Sequence, residues 1–146
     1  MIPPAVFNIV REDMERFLEP TLALSGGREN LSTVWHRLAT GEYQLWMCFD
    51  DENNVEGVEV TRIEQYPLNK MLNLIFTGGT NLENWHEELV EALEVFAKAN
   101  GCAGLEGVGR LGWQRFLKNY GWKVNNVICE KLFDIEEDLE EKRNVA

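Results

Sequence analysis

The stretch TGGTNLENWHEELVEAL, Thr77 to Leu93, decides how the chain folds. An apolar run, MLNLIF, leads into it, and two glycines interrupt that run. From about Asn81 the apolar residues Leu82, Trp85, Leu89, Leu93 and Phe96 return every three or four positions. The first texture belongs to a strand and the second to an amphipathic helix, so the chain turns from strand to helix at the glycine pair. Thr80 with Glu83 three places on has the pattern of a capping box, and Asn100-Gly101 supplies a left-handed stop.

Working outward, YQLWMCF from Tyr43 reads as a buried strand, DDENN as a turn, and VEGVEVTRIEQY as a strand partly open to water. A hairpin of two antiparallel strands follows, with Pro67 and Asn69 marking the next turn before MLNLIF. Two helices come earlier. REDMERFLEPTLAL sets Met14, Phe17, Leu18 and Leu22 at helical spacing, with Pro20 expected to kink or end the pattern, and SGGREN breaks it. Leu31, Val34, Trp35 and Leu38 make the second stripe, closed by Gly41. Both helices are expected on one sheet. Downstream, CAGLEGVG is a short strand, GWQRFLKNYG a short helix and WKVNNVICEKLF a final strand.

Helix, helix, three antiparallel strands, helix, strand, helix, strand is the order of an α+β protein. It predicts a mixed, mostly antiparallel central sheet with helices on both faces. Residues 1–133 are read as a single domain and 134–146 as an acidic C-terminal tail. The run from Asp134 to Glu141 is a solvated helix, a frayed end or an interaction tail.

A chain of 146 residues with 45% hydrophobic content has the size of one compact domain with a real core. Its formal net charge of −11 repels nucleic acid and anionic lipid, so neither is an expected partner. Cys48, Cys102 and Cys129 are odd in number and lie in or beside apolar stretches, which fits buried free thiols in a reducing compartment. His36 and His86 share no ligand spacing with a cysteine, so no metal site is expected, and both histidines read as surface residues. MIPPAVFNIV has no positive leader, and no apolar run approaches membrane-spanning length. The expectation is a soluble, cytoplasmic protein.

Two readings of the glycine turn stand side by side. Free amides at a helix N-terminus and the positive end of its dipole form a cradle for an anion. Equally, the glycines serve a turn needing positive φ, followed by a cap made by Thr80.

With its glycine-bearing turn between the third meander strand and the long helix, the element order resembles the GNAT superfamily of acyl-CoA N-acyltransferases. RLGWQRFLKNYGW is similar to that family's penultimate helix and turn, with Phe116, Gly121 and Trp122 in matching places. The resemblance implies that Phe76, Thr77, Gly78, Gly79, Thr80 and Asn81 bind the pyrophosphate of acetyl-CoA, and that the reaction is acetyl transfer to an amine. The family's loop pattern, Arg/Gln-x-x-Gly-x-Gly/Ala, is not reproduced here. The tyrosine that many members use as the acid is replaced by Leu117, with Tyr120 three residues on. Glu59, Glu64 and Glu106 are candidates for the general base, each with solvent-facing carboxylate as the alternative, and the catalytic set is otherwise unassigned. Arg110, Arg115 and Lys118 either meet an anion such as the CoA 3′-phosphate or an acidic partner, or are ordinary solvated charges. Against the enzyme stands a non-catalytic interaction or structural protein. The short length, degenerate loop and acidic surface also look like small GNAT-like proteins of tailed bacteriophages, some of which are virion components. A protein partner would then be met by an apolar patch around Trp113 and Trp122.

Overall fold

The computed structural model describes residues 1–133, and the acidic run 134–146 lies outside the described residues. The chain groups into two compact units, Met1–Val108 and a second from Gly109 on. In the first, a 3-10 turn at Pro4–Val6 precedes α1 (Phe7–Ala23), α2 (Leu31–Ala39), β1 (Tyr43–Phe49), β2 (Val55–Gln65), β3 (Lys70–Gly79), α3 (Leu82–Ala99) and β4 (Gly104–Gly107). The strands form one sheet in the order β1-β2-β3-β4. The first two pairings are antiparallel and the third is parallel, α3 supplying the crossover that a parallel pair requires.

Side-chain alternation gives each sheet face its own core. Leu45, Val58 and Val60 meet Met14, Leu18, Leu22, Val34 and Leu38 of α1 and α2. Trp46 and Leu72 point the other way, to Trp85, Leu89, Leu93 and Ala97 of α3. The architecture is α+β, mostly antiparallel, with helices on both faces, as the element order implies. The register of β2 with β3 shifts once, from Val60↔Phe76 to Thr61↔Leu74, which leaves Ile75 as an extra, bulged residue of β3. No helix among the described residues is long and apolar enough to cross a membrane.

Several local expectations are corrected. α1 carries Pro20 inside it and runs on to Ala23. The missing N–H falls in the last turn, where the N–H groups of Leu24 and Ser25 bond the carbonyls of Thr21 and Leu22 and close the helix. Thr80 does not cap α3. The N-cap is Asn81, in the left-handed region at φ 53°, and no side chain caps the helix. Thr80 still belongs to the strand edge, its N–H donating to Glu56 O at 2.9 Å, while its own carbonyl accepts from Trp85 Nε1 at 2.7 Å.

His86 is buried at 6% exposure, not at the surface. The buried stripe of α3 runs His86, Leu89, Leu93, Ala97, with Trp85 beside it. The apolar residues alone centre that stripe about one position away, since Ala97 and a histidine add little to a hydrophobic pattern.

The second unit contains α4 (Leu111–Leu117) and a 3-10 turn at Lys118–Tyr120, ended by Gly121 at φ 84°. Residues 122–133, expected as the final strand, form none. Val124, Val127 and Ile128 do not keep to one parity, and Asn125-Asn126 divides them, so no single strand face collects the apolar groups. Val124, Val127, Ile128, Leu132 and Phe133 are exposed, and so is Cys129. That cysteine therefore departs from the buried thiols expected, whereas Cys48 and Cys102 are half-buried.

Candidate site at the turn from β3 to α3

β4 pairs with β3 only from Met71 to Leu74. From Ile75 to Gly79, β3 keeps β2 on one side and has no strand of the described residues on the other. The bond from Thr80 N to Glu56 O makes those two residues a hydrogen-bonded pair. By alternation, Glu59↔Thr77 and Gly57↔Gly79 are non-hydrogen-bonded pairs, and the backbone groups of Thr77 and Gly79 point away from β2. The strand thus presents outward amides where it leaves β4, and ends against the uncapped N-terminus of an 18-residue helix.

Part of this edge is already used. Thr21 Oγ1 of α1 donates to Thr77 O at 3.2 Å. A Cβ on buried Gly78 would lie 2.2 Å from Phe17 O, and one on Gly79 would lie 2.3 Å from Glu56 O. Both glycines therefore serve close backbone approaches, Gly78 to α1 and Gly79 to β2. Gly79 also has φ 146°, outside the range of ordinary side chains. Glu56 lies at the corner, its Oε1 3.5 Å from Asn81 Nδ2, and Glu83 sits in the first turn of α3. Of the residues expected at a cofactor site, Phe76 and Thr77 are half-buried, Gly78 is buried, and Gly79, Thr80 and Asn81 are exposed. They are brought together by chain continuity at one corner.

The three candidate carboxylates have three different surroundings. Glu59 is fully buried on the α3 face. Side chains of a non-hydrogen-bonded pair come close, and Thr77 Oγ1 donates to Glu59 Oε2 at 2.5 Å. Burial raises Glu59 well above 4.5 against the downward pull of that bond, which favours its uncharged form, and a fully buried carboxyl cannot serve as a solvent-reaching base. Glu64 is half-buried and paired with Arg62 Nη2 at 2.7 Å. Glu106, half-buried on β4 opposite Asn73, stands one residue before the strands part.

Tyr66, which the sequence does not single out, donates its hydroxyl to Glu106 Oε1 at 2.6 Å. That bond pushes the Tyr66 hydroxyl up to about 12, so it stays protonated and keeps donating. Forty positions separate the two residues, and the antiparallel pairing of β2 with β3 together with the parallel pairing of β3 with β4 brings them together. Thr21 was equally invisible, because a polar residue near a helix end carries no periodic signal. In the second unit Arg110, Arg115 and Lys118 are exposed, Trp113 and Trp122 are half-buried, and the rings of Tyr120 and Phe116 lie 5.0 Å apart at a tilt of 39°.

No family model matches the sequence, and no curated protein matches it. Solved structures do match in fold. A GNAT family acetyltransferase from Staphylococcus aureus superposes with a TM-score of 0.62 at 12% identity, over 90% of this chain and 95% of that one. Glucosamine-6-phosphate N-acetyltransferase from Arabidopsis thaliana gives 0.60 at 13% identity, over 85% and 93%. A transcriptional regulator from Bacillus halodurans gives 0.59 at 16%, over 84% and 94%. The fold of this chain is the GNAT fold.

Proposed function

We propose that the protein is an acetyl-CoA-dependent N-acetyltransferase acting on an amine. The observation that carries this reading is the parting of β3 from β4 beyond Leu74, which leaves outward amides at Thr77 and Gly79 beside an uncapped α3 N-terminus. Two of the compared structures that share this fold are named as acetyltransferases. The backbone N–H groups fit a pyrophosphate; the nearby side chains of Glu56 and Glu83 do not add to the fit. Bound acetyl-CoA supplies the activated thioester. Glu106, which accepts the Tyr66 hydroxyl, would take the proton an ammonium must lose before its nitrogen attacks the thioester carbonyl.

Calorimetric titration of acetyl-CoA into the wild-type protein and Thr80→Glu tests the reading. Thr80 is exposed, so the variant adds charge at the corner without crowding the core. Micromolar binding weakened roughly tenfold or more by the variant supports the proposal. No heat at millimolar ligand, with the protein folded, overturns it.

A second reading, a non-catalytic interaction or structural protein, is favoured by one observation. Protein backbone fills the space beside Gly78 and Gly79, so no ligand is needed to explain either glycine. A structure of this fold named as a transcriptional regulator is consistent with it.

A further inference from the structure

Glu59 has 0% exposure on an inner strand of the sheet, and the transfer chemistry proposed above does not use it. Its Oε2 takes the Thr77 hydroxyl, while its Oε1 is buried without a hydrogen-bond partner among the described residues. An ionised carboxyl here would leave a charged, fully buried oxygen with no donor among the described residues, which favours the neutral acid. From β1, Trp46 lies opposite, and the Cys48 thiol, pushed up to about 12 by burial, feels Glu59, Glu88, the N-terminal amine and Glu56. From α3 come the Trp85 indole, against Gly57, and buried His86, which burial holds neutral. From β3 comes Thr77. No cation among these groups pairs with Glu59.

We propose that Glu59 is a positioning residue for the β3–α3 corner: its uncharged carboxyl holds Thr77, one residue before the glycine pair, and loss of its proton releases the strand end that presents the outward amides. The binding half of this inference rests on the acetyltransferase reading; the lock itself does not. The sign follows from linkage. The folded state keeps a proton that the unfolded chain loses, so the stabilisation is complete below pH 4.5 and is lost as pH rises through the folded value. Relief of the buried charge requires water, and the Trp85 indole of the first turn of α3, which lies against Gly57, is a group that can move to admit it.

The test compares wild-type protein with Glu59→Gln from about pH 6 to about pH 9. Infrared difference spectra should contain the carbonyl stretch of a protonated carboxylic acid at neutral pH, absent from the variant. Amide exchange at Thr77 and Gly79, corrected for intrinsic rates, should speed up with pH in the wild type and stay flat in the variant. Acetyl-CoA affinity should follow the same course, weakening by up to about tenfold per pH unit once Glu59 ionises. Should Glu59→Gln not fold, Thr77→Val replaces it and should already exchange fast at pH 7. A missing acid band, parallel pH profiles in the two proteins, or unchanged exchange in Thr77→Val overturns the proposal. Absence of acetyl-CoA binding at every pH overturns the acetyltransferase reading instead, and the exchange data still decide the lock.

Discussion

Gly78 stands against the carbonyl oxygen of Phe17, so close that a methyl group on its Cα would lie 2.2 Å from that oxygen. The contact fixes how closely α1 approaches the end of β3. Gly78→Ala must push a helix backbone away from a strand backbone, and neither has a rotamer to yield. A loss of about 1–3 kcal/mol is expected in denaturant unfolding. A loss under about 0.5 kcal/mol would mean that α1 moves freely. Gly79 has a similar obstacle at Glu56 O, so bulky changes there report on folding before they report on any ligand.

Leu93 and Val95 lie two residues apart on α3, but Leu93 is wholly buried and Val95 is 71% exposed. Leu93→Ala opens a cavity under the sheet and should cost about 2–5 kcal/mol. Val95→Ala should stay within about 0.5 kcal/mol of the wild type. Equal effects from the two would contradict the orientation of α3.

Burial lowers His86 below 6.5. The unfolded chain takes up a proton there before the folded protein does, so stability is complete above pH 6.5 and falls as pH drops through the folded value. The steepest slope one histidine can contribute is about 1.4 kcal/mol per pH unit. Unfolding curves of wild type and His86→Gln between about pH 8 and about pH 5 should converge in slope at the alkaline end and diverge at the acid end. Parallel curves throughout would place His86 in water.

Glu106→Gln removes the candidate base but keeps an oxygen for the Tyr66 hydroxyl. If the protein transfers acetyl groups, kcat should fall by about 100-fold or more while acetyl-CoA affinity is unchanged. Loss of binding with kcat preserved would assign Glu106 to the ligand pocket instead of the chemistry.

The sheet and its two helical layers were legible because strands and helices announce themselves by period, and the turn after Phe76 by its glycines. Tyr43 to Phe49 is a strand at both boundaries expected from the sequence. The corner proposed as the site was legible only as a turn from strand to helix. Its content depends on which amides face outward, and that follows from the pairing of Glu56 with Thr80, which no local pattern encodes. The same limit hid Glu59. A glutamate between Val58 and Val60 reads as the water-facing residue of an alternating strand, but β2 is covered on both faces, so alternation there separates two cores. The run after Trp122 misled in the opposite direction, since β-prone residues alone do not make a strand without one parity and a paired edge.

The bulge at Ile75 divides β3 into two stretches of opposite parity. Before it the even-numbered Leu72 and Leu74 share a face with Thr61 and Ile63; after it the odd-numbered Thr77 and Gly79 share that face with Glu59 and Gly57. Loss of the Ile75 codon alone would remove the extra residue and join the two stretches into one regular strand, leaving Thr77 opposite Glu59 and Gly78 on the α1 side. Over evolutionary time Ile75 is therefore the place in the strand that is open both to replacement and to the loss of one residue.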